Sequence, residues 1–186
     1  NPLPMIYQSG YLTIKGYDRE VYLYTLGFPN DEVRYGFLNF LLPYYTEVSS
    51  DATGFHIAKF MRELRNGEVD AFMERLKIFF SGIPYELSDN TERHYQAIFY
   101  VVFALLGQFV STEVRSARGR ADAVVKTQDA VYVFEFKLNG SAEEALRQID
   151  DRGYLIPYTL EGRRLVKVGV NFSKETRNID RYIVEE

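Results

Sequence analysis

The sequence predicts an α/β (α+β) fold in which a mixed central sheet is flanked by helices and preceded by a small, mostly helical domain with a β-hairpin. Three observations carry that prediction. Apolar residues recur at helical spacing through most of the first 85 residues, after an opening pair of runs rich in Tyr, Leu and β-branched residues. From Asp89 onward the order reads helix, strand, strand, strand, helix, strand and a further strand at the edge. The strands on either side of Gln128-Asp129 are apolar on both faces, as central strands covered from both sides are.

With 186 residues, 46% of them hydrophobic, the chain can bury one sizeable core, or one moderate domain plus an appendage. No apolar run approaches the roughly 20 residues that span a bilayer, and nothing resembles a signal peptide, so a cytoplasmic protein with no membrane contact is expected. There is no Cys and only His56 and His94, which excludes disulfides and thiolate sites and disfavours a His-rich zinc site. Any metal would be held by oxygen. The net charge is −4, and all of it lies in residues 1–90, which hold 8 basic and 12 acidic side chains against 14 of each in 91–186. The opening Asn1-Pro2-Leu3-Pro4 lacks a Met and leads at once into patterned sequence, so a fragment of a longer chain is expected.

Tyr11–Lys15 and Glu20–Leu26 read as strands of a hairpin turning at Gly16–Arg19. Asn30 or Asp31 caps a helix with apolar positions Val33, Phe37, Phe40 and Leu41, ending near Pro43. Further helices are expected over about 53–64, stopped by Asn66-Gly67, and about 69–80, stopped by Gly82-Ile83-Pro84. The stripe Phe72, Leu76, Phe79 and Phe80 is read as core packing in preference to an aromatic cofactor box. Residues 82–90 carry turn signals, which places the domain boundary at 85/86.

Asp89-Asn90-Thr91-Glu92 offers caps for a long apolar helix closing at Gly107. Glu92 heads its buried stripe of Tyr95, Phe99, Val102 and Leu106, so it either serves the helix dipole or points a carboxylate into a site. A strand over 109–114 leads to the central hairpin. If its loop is Gln128-Asp129, Thr127 pairs with Ala130 and Asp122 falls opposite Glu135, with Cβ atoms roughly 5 Å apart. Lys137, two residues beyond Glu135, shares its face. A three-residue loop would break this convergence. Arg115, Arg118, Arg120, Lys126 and Lys137 crowd the hairpin, as a polyanion site or as a solvated strand end. Ser141–Glu144 is a capping box opening a helix with the stripe Ala142, Ala145, Leu146 and Ile149. Gln148 flanks that stripe, facing solvent or reaching toward a polar site. Leu165–Phe172 and Ile179–Val184 complete the strands.

Two carboxylates this close suit Mg²⁺ or Mn²⁺, hard cations that prefer oxygen ligands, and a neighbouring ammonium can orient an attacking water. Such a set hydrolyses phosphodiesters; the competing reading is a semi-buried ion-pair cluster that stabilises the sheet.

Gly119-Arg120-Ala121-Asp122, Glu135-Phe136-Lys137 and Gln148 together resemble the PD-(D/E)XK nuclease superfamily, with its restriction-endonuclease-like core, over 86–186. GRADAVV, VYVFEFKL, ALRQIDDRGY and VKVGVNFS are similar to the nuclease-like C-terminal domain of bacterial AAA-ATPase-like proteins, and YQSGYLTIKGYD and LGFPNDEVR to the segment joining the two parts. The resemblance implies that residues 1–85 connect to an ATPase-like part upstream, and no phosphate-binding loop occurs in this sequence. It implies that Asp122, Glu135 and the Phe136 carbonyl ligate the metal, that Lys137 positions the water, and that Glu92 and Gln148 support the site. Ala121 replaces the signature Pro, which supplies a fixed φ and no ligand. The expected function is metal-dependent hydrolysis of DNA, or of RNA. A catalytically silent nucleic-acid or protein interaction module, or a regulatory appendage, are the alternatives.

Overall fold

A computed structural model describes residues 2–46, 48–83, 92–107, 111–114 and 121–186; the side chains of 50, 51, 92, 93, 96 and 111–114 also lie outside the description. The expected caps Asp89, Asn90 and Thr91 and the basic residues Arg115, Arg118 and Arg120 fall outside it as well. The chain divides into two compact units, Asn1–Leu41 and Leu42–Glu186. The sequence boundary at 85/86 falls inside the second.

The first unit opens with a short helix that periodicity does not announce, α1 (Leu3–Gln8), and a two-stranded antiparallel sheet, β1 (Thr13–Asp18) and β2 (Leu23–Gly27). The strands start later than the expected Tyr11 and Glu20. Asp18 explains the shift: its Oδ1 accepts the Glu20 and Val21 amides, so the reversal forms at 19–22 and Gly16 stays in β1. Helix α2 (Asp31–Thr46) is capped by Asn30, whose Oδ1 accepts the Val33 amide. It does not stop at Pro43. One hydrogen bond is forfeited there, but the wholly buried Leu42 anchors the last turn and the Thr46 hydroxyl donates to the Leu42 carbonyl at 2.9 Å. Its buried face carries Leu38 and Leu42, whereas Phe40 of the expected stripe is exposed.

In the second unit the elements after α2 are α3 (Ser50–Arg65), α4 (Val69–Ser81), α5 (Glu92–Leu106), β3 (Ser111–Val114), β4 (Ala123–Lys126), β5 (Ala130–Leu138), α6 (Ala142–Asp151), β6 (Arg164–Ser173) and β7 (Asn178–Glu185). A single turn of 3₁₀ helix, Ile156–Tyr158, lies between α6 and β6. The five strands form a mixed sheet in the order β3-β4-β5-β6-β7; β5 and β6 run parallel and every other pair antiparallel. Strand β7 forms an edge, as its place in the sequence suggests.

Both faces of this sheet are covered. On one, Phe134 and Phe136 of β5 meet helical aromatics: Phe72 of α4 lies 5.6 Å from Phe134, and Phe99 of α5 stacks 4.1 Å from Phe136. The α4 stripe is therefore core. Tyr132 donates its hydroxyl across the same interface to the Leu64 carbonyl at 2.8 Å. On the other face Val124, Val131 and Val133 pack with Leu146, Ile149, Tyr154 and Tyr158. Helix α6 presses close here because β6 carries Gly169; a Cβ at that position would strike the Ala142 carbonyl oxygen and come within 2.8 Å of Leu146 Cγ. Gly169 is the β6 partner of Glu135, so α6 lies tight against the sheet beside the candidate site.

Candidate active site

The hairpin register decides which side chains meet. Strands β4 and β5 pair Lys126 with Val131, Val125 with Tyr132, Val124 with Val133 and Ala123 with Phe134. The Thr127 amide donates to the Ala130 carbonyl at 2.9 Å, which closes a two-residue loop at Gln128-Asp129. Thr127 secures the turn further, its Oγ1 accepting the Ala130 amide at 3.1 Å. Continuing this register by one residue places Asp122 across from Glu135. Asp122 stands just before β4 and its Oδ2 accepts the Phe136 amide at 2.9 Å, so the carboxylate occupies the hydrogen-bonding position that the next residue of a longer strand would fill.

Glu135 is 3% exposed. Lys137, on the same face, holds its Nζ 3.5 Å from Glu135 Oε1. Gln148 reaches in from α6 and bridges the two: its Nε2 donates to Glu135 Oε1, and its Oε1 accepts from Lys137 Nζ. The amide thus faces the site and not solvent. The capping box at the start of α6 sets this reach, with Ser141 Oγ accepting the Glu144 amide at 3.0 Å and Glu144 Oε2 accepting the Ser141 amide at 3.1 Å.

Burial is the main reason that the Glu135 carboxyl is pushed up to about 7; the Asp122 charge pushes the same way, and the Lys137 ammonium and the Asp122 main-chain N–H oppose both. Glu135 Oε2 is buried and accepts no hydrogen bond from the described residues. An acidic oxygen without a donor, facing a second carboxylate, is an arrangement that a hard cation relieves. In a strand, the N–H and C=O of one residue point to the same side, so the Phe136 carbonyl is directed, like its amide, toward Asp122. Two carboxylates and a carbonyl fit Mg²⁺ or Mn²⁺. Among the described residues no group of three or more His, Cys, Asp or Glu side chains is placed to hold a metal.

Glu92 is the first residue of α5, and its side chain lies outside the described residues. Lys126 sits at the opposite end of β4 from Asp122. It lies 3.4 Å from Glu161 and 4.4 Å above the Tyr158 ring, and so supports the 3₁₀ segment and not the carboxylate pair. Two neighbours of the site escaped the sequence reading. Tyr154 places its hydroxyl 3.3 Å from Gln148 Nε2, and Asn171, the β6 partner of Lys137, accepts the Gly140 amide at 3.0 Å and so holds the loop between β5 and α6. The helix stop Gly153 directly before Tyr154 is the one sequence signal for the first; alternation along β6 places the second on the site's face without revealing its partner.

A parallel strand pair joined by a helix, and an antiparallel hairpin bearing two opposed carboxylates with a Lys two residues beyond the second, define a mixed α/β domain with a polar cluster on its sheet. A sequence model of the PD-(D/E)XK nuclease superfamily matches residues 90–182. The chain belongs to that superfamily. It is also similar to a protein of Azotobacter chroococcum mcd 1 described as an uncharacterized protein in the vnfD 5′ region, at 32% identity over 192 residues, covering 97% of this chain and 37% of the relative. The chain thus spans little more than a third of that relative's length. No solved structure matches. Among the described residues no helix is long and apolar enough to cross a membrane.

Proposed function

We propose that this chain is a metal-dependent nuclease-type domain that hydrolyses phosphodiester bonds in DNA, with RNA as the second substrate class. The observation that supports this most is the buried Glu135 carboxyl. It lies across the hairpin from Asp122, keeps one oxygen without a donor among the described residues, and is tied through Gln148 to Lys137. Asp122, Glu135 and the Phe136 carbonyl would hold Mg²⁺ or Mn²⁺. The chemistry such a cation supplies is polarisation of the phosphoryl group and a more acidic attacking water.

The chain's own groups do the rest. Lys137 orients the attacking water and stabilises charge that develops on the phosphorus oxygens. Gln148 ties Lys137 to Glu135 and keeps both aimed, and Glu92 supports the site from the start of α5. The resemblance of Tyr7–Asp18 and Leu26–Arg34 to a connecting segment is the ground for proposing an ATPase-like part in a longer protein.

The test is cleavage of plasmid and single-stranded DNA and of RNA in Mg²⁺ or Mn²⁺, comparing wild type with Asp122→Ala and Lys137→Ala. Each variant is expected to lose at least about 10²-fold in rate, the loss typical of removing one group that stabilises transition-state charge. Cleavage that persists unchanged in both would overturn the proposal. Salt-dependent DNA binding with no cleavage in either metal would instead assign the chain as a silent interaction module.

A further inference from the structure

We propose that Tyr154 is a positioning residue for the site: its hydroxyl fixes the Gln148 amide in the one orientation that serves Glu135 and Lys137 together. The consequence for metal binding rests on the nuclease reading above; the hydrogen-bonding role does not.

A primary amide has two N–H donors and one acceptor oxygen. Gln148 faces three groups. Its Nε2 donates to Glu135 Oε1 and to Tyr154 Oη, and its Oε1 accepts from Lys137 Nζ. Turning the amide over would set its oxygen against a carboxylate and its NH₂ against an ammonium. Without the Tyr154 hydroxyl, the second N–H of a half-buried amide loses its partner and the side chain can swing about its remaining bonds.

Tyr154 is itself held firmly. Gly153 adopts φ 61°, in the left-handed region that ends helices. The Gly153 amide donates to the Asp150 carbonyl at 3.0 Å and the Tyr154 amide to the Ile149 carbonyl at 3.1 Å. The chain therefore folds back under α6. The Tyr154 ring is 9% exposed and belongs to the apolar cluster of Val124, Val133, Leu146 and Ile149, on the face of the sheet that carries Glu135. A ring anchored in the core presents its polar end at a fixed point, so Tyr154 transmits the rigidity of the core to an amide that has none of its own.

Tyr154→Phe removes one oxygen and keeps the ring, so the fold should survive with a change of a few degrees in Tm. In ¹⁵N-labelled protein, the side-chain amide signals of Gln148, assigned by their loss in Gln148→Ala, should shift and broaden in Tyr154→Phe. Calorimetric titration with Mn²⁺ should show about tenfold weaker binding, the low end of the range for groups that orient metal ligands. In a Gln148→Ala background the same change should have no further effect on Mn²⁺ affinity, because Tyr154 acts through that amide. Unchanged Gln148 signals, or an equal loss of affinity in both backgrounds, would overturn the proposal. If wild type binds no Mn²⁺ and cleaves nothing, the nuclease reading fails, and the Gln148 amide signals alone still decide the role of Tyr154.

Discussion

A carboxyl group that is 3% exposed and faces another carboxyl keeps its proton to about pH 7. In the unfolded chain the same group titrates near 4.5, so the native state binds the proton more tightly. Glu135 therefore contributes stability that is complete below pH 4.5 and is lost as pH rises through about 7. For metal-free protein, the displacement corresponds to a loss of roughly 3 kcal/mol between pH 4.5 and pH 8. Urea denaturation at the two pH values should show the loss in wild type and not in Glu135→Gln. Saturating Mg²⁺ at pH 8 should recover part of it, since a ligand that binds only the native state stabilises it by mass action. An equal pH dependence in wild type and variant would contradict this account. The meeting of these side chains is legible in the sequence. Asp122, Glu135 and Lys137 follow from counting along strands, because side chains alternate with a period that the backbone enforces. Tyr154 and Asn171 were not readable, because their partners Gln148 and Gly140 are set by how a helix and a neighbouring strand fall on the sheet.

Among the elements, α6 has the clearest dependence on one residue. Ser141→Ala removes the side-chain acceptor for the Glu144 amide and is expected to cost about 1 kcal/mol, measured as a fall in the urea midpoint with an unchanged slope. Because α6 delivers Gln148, metal affinity should fall with it. Strong local signals made such elements legible: the capping box of α6, the Asn66-Gly67 stop of α3, and the Thr127-to-Ala130 turn whose tight closure sets the β4–β5 register. The misjudged elements are those where a local signal was outweighed. Pro43 looked like a terminus, but burial of Leu42 carries α2 through to Thr46. The β1–β2 reversal looked as if it began at Gly16, but Asp18 gathers the Glu20 and Val21 amides and moves it toward the C-terminus.

At the scale of the larger unit, α4 ties the other helices to the sheet. Phe72 is fully buried and its ring lies 5.2 to 6.0 Å from those of Phe60, Phe103 and Phe134, which belong to α3, α5 and β5. Phe72→Ala should therefore destabilise the unit by about 3 to 5 kcal/mol, read from urea denaturation; a loss below 1 kcal/mol would mean that the helices and the sheet do not share a core. The boundary placed at 85/86 rests on turn residues alone. Turn residues mark where a chain changes direction, whereas membership of a core is decided by contacts such as Leu64 with Tyr132, 68 residues apart.

The glycine at position 169 has a consequence for how such a site can be tuned. Its missing methyl sets the gap between α6 and the sheet at the strand position next to Glu135. A single carbon added there would act as a shim, raising the helix and drawing Gln148 away from the carboxylate, although no ionisable group has been altered. Gly169→Ala should cost about 1 to 3 kcal/mol from overpacking. It should also slow cleavage by as much as about 10²-fold, the penalty for a misplacement of about 1 Å. Under the proposed activity, layer spacing is a throttle: sequences that keep every acid, base and amide are expected to differ in rate through one hydrogen-for-methyl exchange on the neighbouring strand.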